Sequence, residues 1–245
     1  MKTLLGFSVW CKVDMIAWLL DGIQRNFDPE TTDIVFHFDA CTDGSQEAWN
    51  SCIQWWLGIK GQWNMANVHA LASTTEVREV GGHNRILNFF MAGDYDLCLI
   101  AQDDQHFDAP PMRYLQNAAA KFPNLGIVGG RDAYGRGYSR FTGSHWSEST
   151  VDRRVFHGEF VPLPYMNSGP VAYTRKVVEQ CGLLDEEFRA YYVWDDYGQR
   201  ALDKGFISGV MGMDLTHAKF GRVKATEWSD WSAHDLALRQ KKHGW

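Results

Sequence analysis

Apolar positions in the first hundred residues fall into short runs separated by polar, turn-prone stretches, and the spacing inside each run predicts its element. Residues 4–9 form a continuous apolar run of strand length, the pattern of a buried strand. Between Asp14 and Arg25, Met15, Ile16, Trp18, Leu19, Leu20 and Ile23 recur at helical spacing, and Asp14 stands where an N-cap belongs. Asp28-Pro29-Glu30 interrupts the chain, and residues 33–39, rich in β-branched and aromatic side chains, predict a second strand. The turn Cys41-Thr42-Asp43-Gly44-Ser45 then opens a helix through Trp49, Cys52 and Trp56.

The same alternation continues. Residues 68–72 read as a short strand, 85–92 as a helix, and 95–101 as a strand running directly into Gln102-Asp103-Asp104-Gln105. Residues 129–164 change character, with many Gly, Arg, Ser and His and few aliphatics; irregular or extended structure over the active face is expected there. Order returns with a strand at 171–173, helices at 175–181 and 199–204, a strand at 209–213 and helical periodicity from 228 towards 245. Strand and helix in alternation predict an α/β fold, a mostly parallel sheet flanked by helices, in a single domain.

Composition narrows the function classes. The 245 residues carry 24 Lys and Arg against 30 Asp and Glu, a net charge of −6, which argues against general electrostatic adhesion to nucleic acid or anionic membrane. No apolar run reaches the ~18 residues of a membrane helix. Lys2 followed by apolar residues has the outline of a leader peptide, but Lys12 and Asp14 follow without a small-residue cleavage pattern, so the segment is read as the first strand. Five cysteines, an odd number with no C-x-x-C pair, predict reduced thiols and a cytoplasmic protein. Aromatics are in excess, 14 Phe, 11 Trp and 9 Tyr. Trp49, Trp55, Trp56 and Trp63 are expected to pack in the core, and Tyr191, Tyr192 and Trp194 to offer faces on which a sugar stacks.

The candidate chemistry is acidic. Asp39 and Asp43 flank the turn after the second strand, Asp103 and Asp104 follow a later strand, and Asp195 and Asp196 lie in an aromatic stretch. Any one pair alone reads equally well as turn residues or helix caps. Three clusters, each placed after an apolar segment, stand where ligands gather in open α/β sheets. Such carboxylates suit a hard divalent cation beside a diphosphate, with a separate carboxylate serving as general base.

Several segments, in order, resemble the family 2 glycosyltransferases, inverting enzymes of the GT-A (Rossmann-like) fold. Residues 33–45, ending in Thr42-Asp43-Gly44-Ser45, are similar to the family's strand and "DDGSTDGS" turn. Arg85 with Ala92-Gly93-Asp94-Tyr95 falls at the offsets of "aRN…A-G-x-Y", and Ala101-Gln102-Asp103-Asp104 stands in place of "DADD". Ser168-Gly169 resembles the turn before the acceptor helix, residues 181–188 resemble "vGgfDe-x-f", and Trp194-Asp195-Asp196 with Arg200 and Gly205-Phe206 resembles "eDvDlclRlrk-x-Gy". Leu215-Thr216-His217 resembles the late metal-binding histidine, and residues 239–245 a frequent Lys-rich end. One departure stands out: the first acidic position of the metal motif is Ala101.

The resemblance implies a single displacement from a nucleotide-sugar donor, a UDP-sugar, onto an acceptor hydroxyl, by a hexosyl- or pentosyltransferase. Asp103, Asp104 and His217 would hold Mn²⁺ or Mg²⁺, and Phe7, Ser8, Val9, Asp39, Arg85 and Asp103 would line the nucleotide pocket. Asp195 or Asp196 would be the general base. It also implies a nucleotide-sugar-binding half at 1–105, an acceptor half at 106–220 and a helical tail at 221–245. At 245 residues the sequence is expected to be without the C-terminal extensions that family members often use for lipid-linked or polysaccharide work. Compact members of this kind modify small molecules, protein, glycans or, in some viruses, hydroxymethylated DNA bases, so the resemblance leaves the acceptor open, with nucleic acid possible but not favoured. Arg131, Arg136, Arg140, Arg153 and Arg154 could contact DNA phosphates, although a solvated basic loop is the favoured reading. The competing classes are a sugar-nucleotide nucleotidyltransferase, whose Gly-rich loop after the first strand is missing here, and a non-catalytic carbohydrate-binding protein.

Overall fold

A computed structural model describes residues 1–60, 63–132, 155–163, 169–190, 192–218 and 225–244, with backbone only at 131–132 and 225–228. The first apolar run forms β1 (Thr3–Val9) and the second β2 (Thr32–Asp39), paired in parallel. Between them lies α1 (Ile16–Asn26), whose buried Ile16, Leu19, Leu20 and Ile23 are the predicted stripe. Asp14 does not cap this helix: it lies within a 3₁₀ turn over Val13–Met15, and the position before the helix is Met15, without a side-chain capping bond.

The helix after the Asp43 turn, α2 (Ser45–Ile53), continues as a π-helix over Gln54–Lys60. Trp49 and Trp63 are core residues as expected, whereas Trp55 is 51% exposed. Next come β3 (Val68–Ser73), α3 (Arg78–Ala92) and β4 (Leu97–Gln102). Then follow β5 (Gln105–Phe107), α4 (Met112–Lys121), β6 (Leu125–Asp132), β7 (Phe160–Pro162), β8 (Val171–Thr174) and α5 (Arg175–Cys181). The chain ends with α6 (Val193–Asp203), β9 (Ile207–Met213), β10 (Leu215–His217) and α7 (Ala225–His243). Helix α6 thus starts six residues earlier than the periodicity predicts. The stretch expected to be irregular contains the end of β6 and β7, and most of the rest of it lies outside the described residues.

Eight strands make one sheet in the order β3-β2-β1-β4-β8-β6-β9-β7, with β8 antiparallel to both neighbours and β7 antiparallel at the edge. Side chains alternate across it. Leu5, Phe7, Val9, Phe36, Phe38, Leu99 and Ala101 pack under α1 and α2, while Leu4, Val35, Cys98 and Ile100 pack against α3, α5 and α6. Each fully buried large apolar side chain contributes about 1.5–3 kcal/mol, so the two layers hold the strand ends in fixed register. Strand β1 sits between β2 and β4, and the crevice at their carboxyl ends is the usual ligand position of such sheets. All five cysteines are free thiols, and among the described residues no helix is long and apolar enough to cross a membrane.

Candidate functional site

Strand β4 delivers the first acidic pair. The chain leaves it at Gln102, turns through Asp103-Asp104 and re-enters extended structure at Gln105. The Gln105 side chain closes the turn, its Oε1 accepting from the Gln102 backbone N–H at 3.0 Å. Strand β10 pairs antiparallel with β5, matching His217 to Gln105, and the Ala218 N–H donates to the Asp104 carbonyl at 2.8 Å. This two-stranded ribbon carries His217 to the turn, where its Nε2 lies 3.1 Å from Asp104 Oδ1.

Lys12, just beyond β1, completes the cluster. Its Nζ lies 3.4 Å from Asp103 Oδ1 and 3.2 Å from Asp104 Oδ2, and the Trp10 N–H donates to Asp103 Oδ2 at 2.8 Å. Burial pushes the Asp103 carboxyl up to about 6, against the pull of Lys12 and the Trp10 N–H. Burial also acts on Asp104, but the hydrogen bond and charge of His217, with Lys12, hold it below the ordinary carboxylate range. Carboxylate oxygens with an imidazole nitrogen are donors that a divalent cation accepts. Among the described residues no group of three or more His, Cys, Asp or Glu side chains is gathered tightly enough to hold one, and Lys12 fills the space between the two carboxylates. Ala101 is fully buried on the α1/α2 face, so this chain has an apolar core contact where the family motif has its first acid.

Glu79, which no sequence pattern singles out, belongs to the same cluster. From the first turn of α3 it accepts a 2.6 Å hydrogen bond from Gln102 Nε2. Burial, joined by the charges of Asp104 and Asp103 and opposed by the Gln102 bond, pushes it up to about 7. Its charge also acts on the buried Tyr173 of β8, whose hydroxyl accepts from Trp194 Nε1 at 3.1 Å.

The second acidic pair lies in the first turn of α6, where carboxylates favour the helix dipole. Asp195 and Asp196 are each 3% exposed. Asp196 is gripped: Arg200 Nε donates to Oδ2 at 2.9 Å, and His243 Nε2 of α7 lies 3.0 Å from Oδ1. Asp195 is held more loosely, with Oδ2 facing Arg239 Nε at 3.4 Å and accepting no hydrogen bond. Burial pushes Asp195 up to about 7, against the Arg239 charge and with the neighbouring Asp196 adding to the rise. Arg239 also lies over the Tyr192 ring, 5.2 Å from its centroid.

The remaining predicted residues are distributed otherwise. Phe7 and Val9 have no exposed surface; Phe7 stacks on Phe36 at 5.5 Å, so their side chains belong to the core rather than to a nucleotide pocket. Ser8 and Arg85 lie on the α3 side of the sheet, where a Cβ on Gly82 would come within 2.3 Å of Ser8 Oγ and the exposed Arg85 acts on His37. Asp39 caps α3 from a distance, accepting from the Val77 and Arg78 N–H groups at 2.8 Å each. Trp194 is buried edge-on against His83 and is not a free stacking face. Ser168, Tyr191, Arg136, Arg140, Arg153 and Arg154 lie outside the described residues, as does the side chain of Arg131.

No protein-family model matches the chain, and no curated protein matches it in sequence. Solved structures do match in shape. The mannosyltransferase PcManGT from Pyrobaculum calidifontis, in complex with GDP-Man and Mn²⁺, superposes with a TM-score of 0.63 at 16% identity over 98% of this chain and 63% of that one. TarS of S. aureus gives 0.63 at 12% identity, over 98% of this chain and 44% of its own. GalNAc-T7 with UDP, GalNAc and Mn²⁺ gives 0.66 at 12% identity, over 89% of this chain and 44% of its own. The chain therefore spans less than two thirds of each of these three. The likeness, with the mostly parallel sheet between helices, shows the GT-A Rossmann-like fold.

Proposed function

We propose that the chain is a glycosyltransferase that moves a sugar from a nucleotide-sugar donor to an acceptor hydroxyl with inversion. The observation that carries this reading is the meeting of Asp104 and His217 across 113 positions of sequence, at the carboxyl edge of the sheet and beside Asp103. Support comes from structures of the same fold: PcManGT was solved with GDP-Man and Mn²⁺, and TarS 1–349 with UDP-GlcNAc.

As they stand, Asp103, Asp104 and His217 are not gathered tightly enough to hold a cation; they would hold Mn²⁺ or Mg²⁺ once Lys12 leaves the space between the carboxylates and the three side chains close on it. Such a cation, when bound, neutralises charge that develops on a diphosphate leaving group. Asp195 is the proposed base. A carboxylate raised to about 7 takes a proton near neutral pH, whereas Asp196 is committed to Arg200 and His243. Asp195 takes the hydroxyl proton as the acceptor oxygen bonds to the anomeric carbon; the bond from that carbon to the phosphate oxygen breaks and the nucleoside diphosphate leaves.

A thermal-shift screen of UDP- and GDP-sugars with and without Mn²⁺, followed by donor hydrolysis, tests the proposal. A ligand that binds only the folded form raises the melting temperature. Stabilisation by one class of sugar nucleotide together with its slow hydrolysis is expected. No shift with any of them would refute the proposal, and a shift without hydrolysis or transfer would favour a carbohydrate-binding protein.

A further inference from the structure

Lys12 is 6% exposed, and a buried lysine is uncommon unless it is paired. Its pairing is two-sided. One oxygen of each carboxylate faces the ammonium, while the other two are taken by the Trp10 N–H and by His217. Cys11, immediately before it, has φ 51°, a left-handed conformation that a residue with a Cβ adopts at a cost. The Cys41 sulfur holds that conformation by accepting from the Cys11 N–H at 3.4 Å.

We propose that Lys12 is an intramolecular rival of the divalent cation, occupying the space between Asp103 and Asp104 and giving it up when the cation binds. The inference rests on the reading above only in taking Asp103 and Asp104 as the cation's ligands. An ammonium and a divalent ion repel each other at this range and require the same carboxylate oxygens, so one excludes the other. Removing the ammonium leaves Asp103 without its main counter-charge and Asp104 with His217 alone, and favours whatever cation replaces it.

Titration of the full chain with Mn²⁺ alone, followed by electron paramagnetic resonance of free Mn²⁺, reads this directly. Lys12→Met and Lys12→Gln are expected to bind Mn²⁺ at least tenfold more tightly than the wild type, and Lys12→Arg, which keeps the charge, to stay within threefold of it. Thermal melts of all four proteins identify any variant that fails to fold, and the glutamine variant retains hydrogen bonding should the methionine variant unfold. Equal or weaker Mn²⁺ binding in both neutral variants overturns the proposal, as does an absence of binding in every form up to millimolar Mn²⁺. These outcomes are separable from those of the donor screen: equal Mn²⁺ affinities leave sugar transfer standing, and a failed donor screen leaves a Lys12 effect standing.

Discussion

Asp103 and Asp104 share one lysine and one histidine at a four-residue turn, whereas Asp195 and Asp196 are met by three basic side chains from two helices. In the first pair one ammonium on a flexible stem reaches both carboxylates at 3.2–3.4 Å and His217 meets Asp104 alone, an arrangement that can be exchanged. In the second, Asp196 is locked by Arg200 and His243 while Asp195 keeps an oxygen that accepts no hydrogen bond. Two buried acidic pairs on one fold thus differ in how firmly each carboxylate is committed. A cation site needs oxygens that can be released, and a base needs a carboxylate that is held in place yet left a free lone pair.

The sharpest way to break this contrast is to neutralise the two members of the second pair separately. Asp195→Asn is expected to lower sugar transfer by about 10²–10⁴-fold, the usual contribution of a general base, with donor binding retained. The wild-type rate should rise with pH through an apparent pKa near 7, as Asp195 loses its proton in the presence of Arg239 and Asp196, and Asp195→Asn should flatten that limb. Transfer assays across pH 5–9 check both; full activity in Asp195→Asn would remove it as the base.

Asp196→Asn should act on stability first. It leaves Arg200 without its carboxylate and removes the His243 contact to Oδ1, and breaking a buried pair costs about 3–5 kcal/mol. The low end, about 3 kcal/mol, is expected because Arg200 is partly solvated and keeps the carbonyls of Cys181 and Leu183 at 2.6 and 3.1 Å. Urea unfolding measures it. A loss below about 1 kcal/mol, together with abolished transfer, would exchange the roles assigned to the two aspartates.

How much of this was legible in the sequence follows from what holds each part. Strands β1, β2 and β4 are apolar runs whose own residues call for burial, so the pattern finds them, and the Asp103-Asp104 turn follows from where β4 ends. Strands β5 and β10 have three residues each and form only by pairing with each other, which no local pattern carries. Resemblance alone marks His217, and its contact with Asp104 depends on that ribbon. Lys12 and Glu79 carry no local signal, each being one charged residue in a stretch of mixed polarity. For Lys12 the available signal was topological, a basic residue just past the carboxyl end of a central strand; for Glu79 it was a place in the first turn of the helix that packs on that strand. Phe7 and Val9 went the other way, since strand alternation already turned them towards the core and away from any pocket. The partners of the second pair, Arg239 and His243, lie in a segment whose Lys-rich end gave no hint of what it touches.

Helix α3 spans the two pairs, with Glu79 reaching the first and His83 packed edge-on against Trp194 beside the second. Burial, with His37 beside it, drives the His83 imidazole down to about 3. The sign follows from linkage: the folded state keeps His83 neutral while the unfolded chain takes up a proton below about 6.5, so stability falls as pH drops from 6.5 towards 3. At pH 5 the loss is about 2 kcal/mol, from about 1.4 kcal/mol per pH unit. His83→Phe should lose about 2 kcal/mol less than the wild type between pH 7 and pH 5 in urea unfolding. Parallel losses in the two proteins would show that His83 does not set the acid response of the region between the pairs.

The smallest effect is expected at Asp39, an acid whose role is structural and which therefore calibrates the other two sites. Its carboxylate satisfies two N–H groups at the start of α3, which lacks a side-chain cap of its own, and loss of such a cap costs about 1 kcal/mol. Asp39→Asn keeps one acceptor oxygen and should lose less than Asp39→Ala. If Asp39 serves only the helix, donor affinity in both variants should match the wild type by thermal shift at matched melting temperatures. A tenfold loss of nucleotide binding in Asp39→Asn without a matching loss of stability would instead place Asp39 in the nucleotide pocket, where the family resemblance puts it, and would add a third carboxylate whose second lone pairs remain available to a ligand.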